Sequence, residues 1–462
     1  MNDAPIRQKA DYVLYWAQMN RRAKSNHALE YAIVLGNEYG LPVFCYEGLT
    51  CTYEFANDRL HTFVIEGVCD TQKALERRGI GYAFYLRRKR SDPNDMLYEL
   101  AAKAAAVVTD DYPTFIAAQH NSRVPQKLGV AYFGVDSSCI VPMSCFEKRE
   151  YAAYTIRPKI NRLLPEYFHP APHHKPEHPW RGERPKFHVE VTAGNIPELV
   201  ASCEIDHTVK PSTTYHGGSA AAEDHLTHFL KTSLRRYAKD RNEPSAHATS
   251  NLSPYLHFGH ISSLEVALAA KEYAEEHKLV ADEFLEELIV RRELAFNYAR
   301  WAKNIRGFDD LPDWARKTMD KHAKDKRDPL YTAQEMTQAR THDALWNATQ
   351  KELLLRGKIH GYYRMYWGKK IIEWSKNYQD ALDLMIELHD RYALDGRDPN
   401  TYTNILWCFG LHDRPWFDRP IFGVMRYMAF DGMKRKTDIN AYIEEIAWLE
   451  QTGKDPSPAQ TK

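Results

Sequence analysis

A chain of 462 residues exceeds what one hydrophobic core normally organises, so two or three domains are expected. With 44% hydrophobic and 27% charged residues, no apolar run of about 18 residues and no signal-type segment in MNDAPIRQKADYV, it reads as a soluble cytoplasmic protein without a membrane partner. Lysine plus arginine and aspartate plus glutamate balance at 62 each, which counts against a uniformly basic nucleic-acid binder, and seven scattered cysteines without a CxxC pair indicate neither a disulfide framework nor a metal site.

DYVLYWAQ (11–18) is a short apolar run of β-forming residues, HALEYAIVLGNEYG (27–40) is a helical stretch closing on Gly40, and LPVFCYEGL (41–49) is a second buried strand. AAAVVTDD (104–111) and VAYFGVD (130–136) continue this rhythm, so an α/β domain with a parallel, Rossmann-like sheet is expected over 1–160. No GxGxxG follows the first strand, which leaves this domain without a dinucleotide fingerprint. An interdomain linker is expected over 161–222. Its core, PEYFHPAPHHKPEHPWRGERPKFH, is crowded with proline and histidine and reads as extended, a spacing that prevents the compact geometry of a metal site. From 223 to 462 the chain reads as a large all-helical domain, because HLTHFLKTSLRRYAKD, SSLEVALAAKEYAEEHK and DEFLEELIVRRELAFNYARW carry apolar residues at three- and four-residue intervals.

Several residues in this half invite chemistry. ATSNLSPYLHFG (248–259) places Thr249, Ser250, Asn251 and Ser253 where a helix begins, and the free amides and dipole there suit a phosphate, although a plain N-cap reads the same way. Glu287, in FLEELIVRRE, stands four residues before Arg291, the spacing of an ordinary helical salt bridge. Eight of the ten tryptophans lie beyond residue 300. Trp367 and Trp374 fall about 10 Å apart on nearly one helical face, and with Trp346 they form either a bulky core or a path for electrons. Arg414, Arg419, Arg426, Lys434, Arg435 and Lys436 crowd a short C-terminal span that can form a basic face despite the zero net charge.

The phrases HGYYRMYWGKKIIEW (360–374), DRYALDGRDPNTYTNILWCFGLHDRPW (390–416) and MRYMAFDGMKRKTDINAYI (425–443), with SNLSPYLHFGHISS, FLEELIVRRELAFNY, THDALWNATQ and EYAAYTIRP upstream, resemble the class II cyclobutane pyrimidine dimer photolyases of the photolyase/cryptochrome family. The resemblance implies the photolyase fold, with an antenna domain and a helical FAD-binding catalytic domain. It implies a light-driven carbon–carbon lyase that splits pyrimidine dimers in DNA with an electron from excited, reduced FAD. The partner would be UV-damaged double-stranded DNA with the dimer flipped out, engaged by a monomer.

By the same resemblance, Glu287 hydrogen-bonds the dimer carbonyls, Asn242 lies near flavin and lesion beside Arg241, and Met365 and Trp407 contact the extruded bases. Flavin contacts fall on Arg241, Thr249, Ser250, Asn251, Leu252, Ser253, Arg292, Asn297, Arg364, His389, Asp395 and Asp398. The electron path runs Trp367, Trp346, Trp374 from flavin to solvent, and Arg414, Trp416 and Arg426 occupy the opened duplex. An antenna chromophore, deazaflavin or folate, has no short motif here.

The chain departs from the class pattern at LHDRY, where His389 replaces the usual asparagine beside flavin N5, and its effect depends on tautomer and charge. Phe296 replaces an aspartate, His27 replaces a tryptophan, and WCFGLHD is one residue short. His389 keeps open a cryptochrome-like photoreceptor, and with His360 a photolyase for the (6-4) lesion.

Overall fold

The computed structural model describes residues 1–456. Five parallel strands, β1 (Tyr12–Ala17), β2 (Val43–Thr50), β3 (Gly81–Arg87), β4 (Ala104–Asp110) and β5 (Ala131–Val135), lie in the order β3-β2-β1-β4-β5. Every residue of β1 and β4 is buried, as a sheet covered on both faces requires. The helix His27–Tyr39 connects β1 to β2. It starts where Asn26 accepts from the Leu29 amide and ends at Gly40, whose φ of 66° a side chain would resist.

Strand order reverses between β1 and β4, where α/β proteins open a crevice. Asp110, at the end of β4, accepts three backbone amides in succession, from Gln18 (3.0 Å), Met19 (2.7 Å) and Asn20 (3.0 Å). A carboxylate therefore sits where a dinucleotide fold would seat its pyrophosphate, the physical counterpart of the missing glycine motif.

The proline- and histidine-rich stretch is extended but not free. Trp180 packs on Phe44 (4.7 Å between centroids) and Tyr12 (5.7 Å), its amide donates to Gly79 O, and the Val189 amide donates to Phe84 O. The segment is a strap across the β2–β3 side of the sheet, with residue 160 inside the preceding helix, Ala153–Tyr167.

Helices dominate from Ser219 onward. The two parts are tied by buried polar bonds: Arg59 donates to Tyr392 O and Leu353 O, Thr114 Oγ1 to Arg397 O, and Tyr112 OH to Asp398. Among the described residues no helix is long and apolar enough to cross a membrane, and no group of three His, Cys, Asp or Glu side chains is placed to hold a metal.

Candidate functional site

An inner cleft is walled by the turn and short helix around 250–257, the start of the helix Arg292–Trp301, the segment 358–364 and the segment 395–404. Arg364 Nη2 donates to both oxygens of Asp395 at 3.0 Å, and Ser253 Oγ donates to the same carboxylate at 2.7 Å. Burial pushes the Asp395 carboxyl up, but Arg364 and Lys358 outweigh it and hold it below the usual range. Asp398 caps the helix Pro399–Trp407 through the Asn400 amide (2.8 Å) and also accepts from Tyr112 OH (2.7 Å). Lys358 Nζ donates to Asn251 Oδ1 at 3.0 Å, with burial lowering its pKa.

An outer cavity of roughly 1000 Å³, including its open mouth, shares Tyr237, Glu287, Gly361, Arg364 and Asn404 with the inner cleft. Arg241, Asn242, Thr249, His360, Tyr362, Met365 and Trp407 complete its walls. It thus combines a carboxylate, an amide and a guanidinium with a soft thioether and a flat indole.

Glu287 does not make the helical salt bridge its spacing suggests. Residues Glu286–Arg291 form a π-helix inserted between two α-helical turns, which moves the partner on the same face from the fourth to the fifth residue. Arg291 accordingly pairs with Glu286 (3.3 Å), whereas Glu287 turns into the cavity and receives Arg241 Nη1 at 2.6 Å. One residue of extra register is what aims this carboxylate.

The three tryptophans form one contiguous stack. Trp367 and Trp346 are parallel with centroids 6.4 Å apart, and Trp346 meets Trp374 edge-on at 5.6 Å. Trp346 Nε1 donates to Trp367 O, and Trp367 Nε1 to Gln350 Oε1. Trp374 does not itself reach solvent. Tyr331 and His342 cover it at 5.5 and 5.3 Å, so the outer end of the stack is this pair, Tyr331 half-buried and His342 exposed.

His389 is buried edge-on to Trp367, 5.0 Å between centroids. Its Nδ1 lies 2.9 Å from Met385 O, a contact only an N–H can make, and Nε2 has no partner. Burial, reinforced by Arg364, lowers its pKa to about 4, so near neutral pH the ring is neutral with Nε2 as a bare acceptor. His360 takes the opposite tautomer, its Nδ1 accepting from the Tyr362 amide at 3.3 Å, with burial lowering its pKa to about 3.

Outside the cavity, cations and indoles alternate. The Arg426 guanidinium lies 5.1 Å from the Trp407 ring and 4.2 Å from that of Trp416, and Arg414 lies 5.1 Å from Trp416. Asp413 fixes this ladder by accepting from Arg426 Nε at 3.1 Å.

Of the remaining expected residues, Ser250, Ser253 and Arg292 line the inner cleft, and Thr249 lines the outer cavity. Leu252 is packed in the core. The Asn297 side chain accepts from the Glu150 amide and donates to Lys148 O, which ties it to that loop and away from the cleft. Phe296, in place of an aspartate, is buried against Tyr112 and beneath Arg292. Sequence reasoning missed Lys358, Tyr237, Asn400, Thr401 and Asn404, all lining residues whose types carry no local signal.

These walls fit an elongated anionic cofactor. Lys358, Arg292 and Arg364 supply positive charge, and Arg364 Nε is a buried polar atom still lacking a partner; His389, whose Nε2 also lacks one, is not among the residues that line either cavity.

Comparison with known proteins matches a family model described as DNA photolyase to residues 13–177. The chain is 40% identical over 444 residues to the deoxyribodipyrimidine photo-lyase of Methanothermobacter thermautotrophicus, covering 96% of each chain. Solved structures with the same fold include the cryptochrome of Synechocystis sp. PCC6803 (TM-score 0.72, 17% identity, 97% of this chain and 91% of that one). Another is an archaeal photolyase from Sulfolobus tokodaii with two FAD molecules (TM-score 0.64, 15% identity, 95% and 91%).

Proposed function

From the premise that this chain belongs to the DNA photolyase family, we propose that it is a DNA-repair lyase whose outer cavity receives a cyclobutane pyrimidine dimer flipped from duplex DNA and whose inner cleft holds FAD. The observation that carries this reading is the cavity wall in which Glu287, Arg241 and Asn242 face Met365 and Trp407, continuous with the cleft of Arg364, Asp395, Lys358 and Arg292. FAD, once bound and reduced, supplies the electron that light promotes.

The protein's own groups do the rest. Trp407 and Met365 offer a flat face and a polarisable thioether to the extruded bases. Glu287 lines the cavity, where its carboxylate can accept from a donor of the bound dimer, with Arg241 balancing its charge and steadying whichever dimer carbonyl gains charge. Arg364 and Asp395 form a buried pair that orients polar edges of the cofactor, and Lys358 with the turn 249–253 offers positive charge and amides to phosphate. Arg414, Trp416 and Arg426 form the surface that would fill the opened duplex and meet phosphates.

His389 favours repair over signalling in this reading. A neutral ring with its proton fixed on Nδ1 accepts at Nε2, as the usual asparagine carbonyl would, and has no proton there to give. His360 and His389, both neutral near pH 7, also lack the acid expected of a (6-4) site. The concavity at the β1–β4 switch, lined by Trp16, Phe115, His120, Phe258 and Arg397, is the place offered to an antenna chromophore, deazaflavin or folate.

The test is equilibrium binding of two duplex oligonucleotides that differ in one thymine dimer. The reading expects tighter binding of the damaged duplex, weakened by salt; equal affinity for both would remove its basis.

A further inference from the structure

Lys369 is 1% exposed, yet no role above uses it. It lies on the helix Gly361–Trp374, one turn beyond the cavity residue Met365. Its helix comes close to the end of the helix Pro399–Trp407: a Cβ added at Gly368 would meet Cys408 Sγ at 2.8 Å. That approach lets Lys369 Nζ donate to Cys408 O at 2.6 Å. The ammonium thus occupies the negative end of the helix whose last residue is Trp407 and satisfies one of its terminal carbonyls. It also lies 5.5 Å from the Trp407 ring and 5.9 Å from that of Phe422. Burying a lysine with one oxygen partner is unfavourable, and a methionine would fill the same space without that cost. The charge therefore calls for a use.

Resting on the lesion-pocket reading above, we infer that Lys369 is a positioning residue: its buried ammonium clamps the end of the Trp407 helix and holds the Trp407 indole in the orientation that receives the flipped dimer. The amine remains able to donate to Cys408 O when neutral, but its own attraction for the indole face, which adds to that of Arg426 at 5.1 Å from the same ring, is lost with its charge. Dimer recognition thereby becomes linked to Lys369 ionisation. Burial lowers its pKa to about 8, against the favourable fields of Cys408 and Asp413 and with the unfavourable field of Arg426. Among the described residues, these three, with the rings of Trp407 and Phe422, are the charged, titratable and aromatic groups that act on it.

The sign separates this role from a structural one. Because the unfolded chain keeps its lysine protonated to higher pH, the Lys369 contribution makes the fold more stable as pH rises through 8. Dimer affinity falls over the same interval. A loss of affinity with a gain in stability is not a loss of fold.

The experiment measures affinity for dimer-bearing and undamaged duplexes from pH 6.5 to 9 at fixed ionic strength, with thermal melts alongside, for the unaltered protein, Lys369→Met and Lys369→Arg. For the unaltered protein, discrimination should fall about three- to tenfold across this range, the span of one cation–π contact. Lys369→Met should be weak and flat with pH, its profile subtracting titrations elsewhere, and Lys369→Arg should restore discrimination at pH 9. A flat profile for the unaltered protein, or full discrimination by Lys369→Met, would overturn the inference while leaving dimer recognition intact. Equal affinity of the unaltered protein for both duplexes at every pH would overturn the lesion-pocket reading itself, and this inference with it.

Discussion

Replacing Glu287 with alanine separates recognition from stability more cleanly than any other change in the cavity. Its pair with Arg241 is short, 2.6 Å, but the two side chains are 40% and 30% exposed. A solvent-screened pair of this kind contributes at most about 1 kcal/mol to the fold. In a protein of this size a change of that order moves the melting temperature by less than about 4 °C. A hydrogen bond that this carboxylate accepts from a bound dimer is different in scale. In a cavity closed by the lesion, a charged hydrogen bond contributes about 1.5–3 kcal/mol, equivalent to roughly 10- to 150-fold in rate or affinity. Single-turnover loss of a dimer under constant light, with the flavin chemically reduced beforehand, should therefore slow by that factor in Glu287→Ala. Glu287→Gln should lose less, because the amide still accepts. An unchanged rate would refute the assignment, and a loss matched by a melting shift of 10 °C or more would show that the π-helical segment had collapsed instead.

Four further outcomes follow from the geometry and the buried charges. Trp346→Phe removes the middle of the indole stack and should slow light-driven reduction of bound oxidised flavin at least tenfold, without slowing repair by protein reduced chemically; equal photoreduction rates would show that electrons enter elsewhere. Arg414→Ala should weaken binding of damaged and undamaged duplexes alike and flatten the slope of log affinity against log salt by about one, whereas Trp416→Ala should cost the damaged duplex selectively. Acid should destabilise the fold early. Burial lowers His61, His260 and His360 to about 3 and His389 to about 4, so from about pH 6.5 down to 4 the unfolded chain binds protons that the native one does not. His120, His225 and His412, lowered to about 4 by burial, add to this loss; Glu293, pushed up to about 8 by burial, opposes it but is outnumbered, so stability falls as pH drops through that window. Thermal melts that stay level from pH 7 to 5 would contradict it.

The α/β half was legible because a sheet covered on both faces writes itself as short apolar runs ending in aspartate, and Gly40 closes its helix where the sequence places it. The tryptophan stack was legible in part: spacing put Trp367 and Trp374 on one face, but only tertiary packing slides Trp346 between them and covers Trp374 with Tyr331 and His342. The aim of Glu287 was not legible from periodicity, because the π-helical register depends on what the helix packs against. Nor was the strap, since Trp180 docks onto residues more than a hundred positions away. Lys358 and Lys369 escaped notice because a lysine in a helix-rich sequence looks like a solvated charge until its burial is known.

The central claim is tested most directly by illuminating the purified, FAD-loaded and reduced protein with blue light in the presence of a duplex carrying one thymine cyclobutane dimer, with a dark control. The account predicts that the dimer disappears only in the light and that undamaged thymines are restored. A dimer that persists under illumination while bound by protein carrying reduced FAD would contradict it.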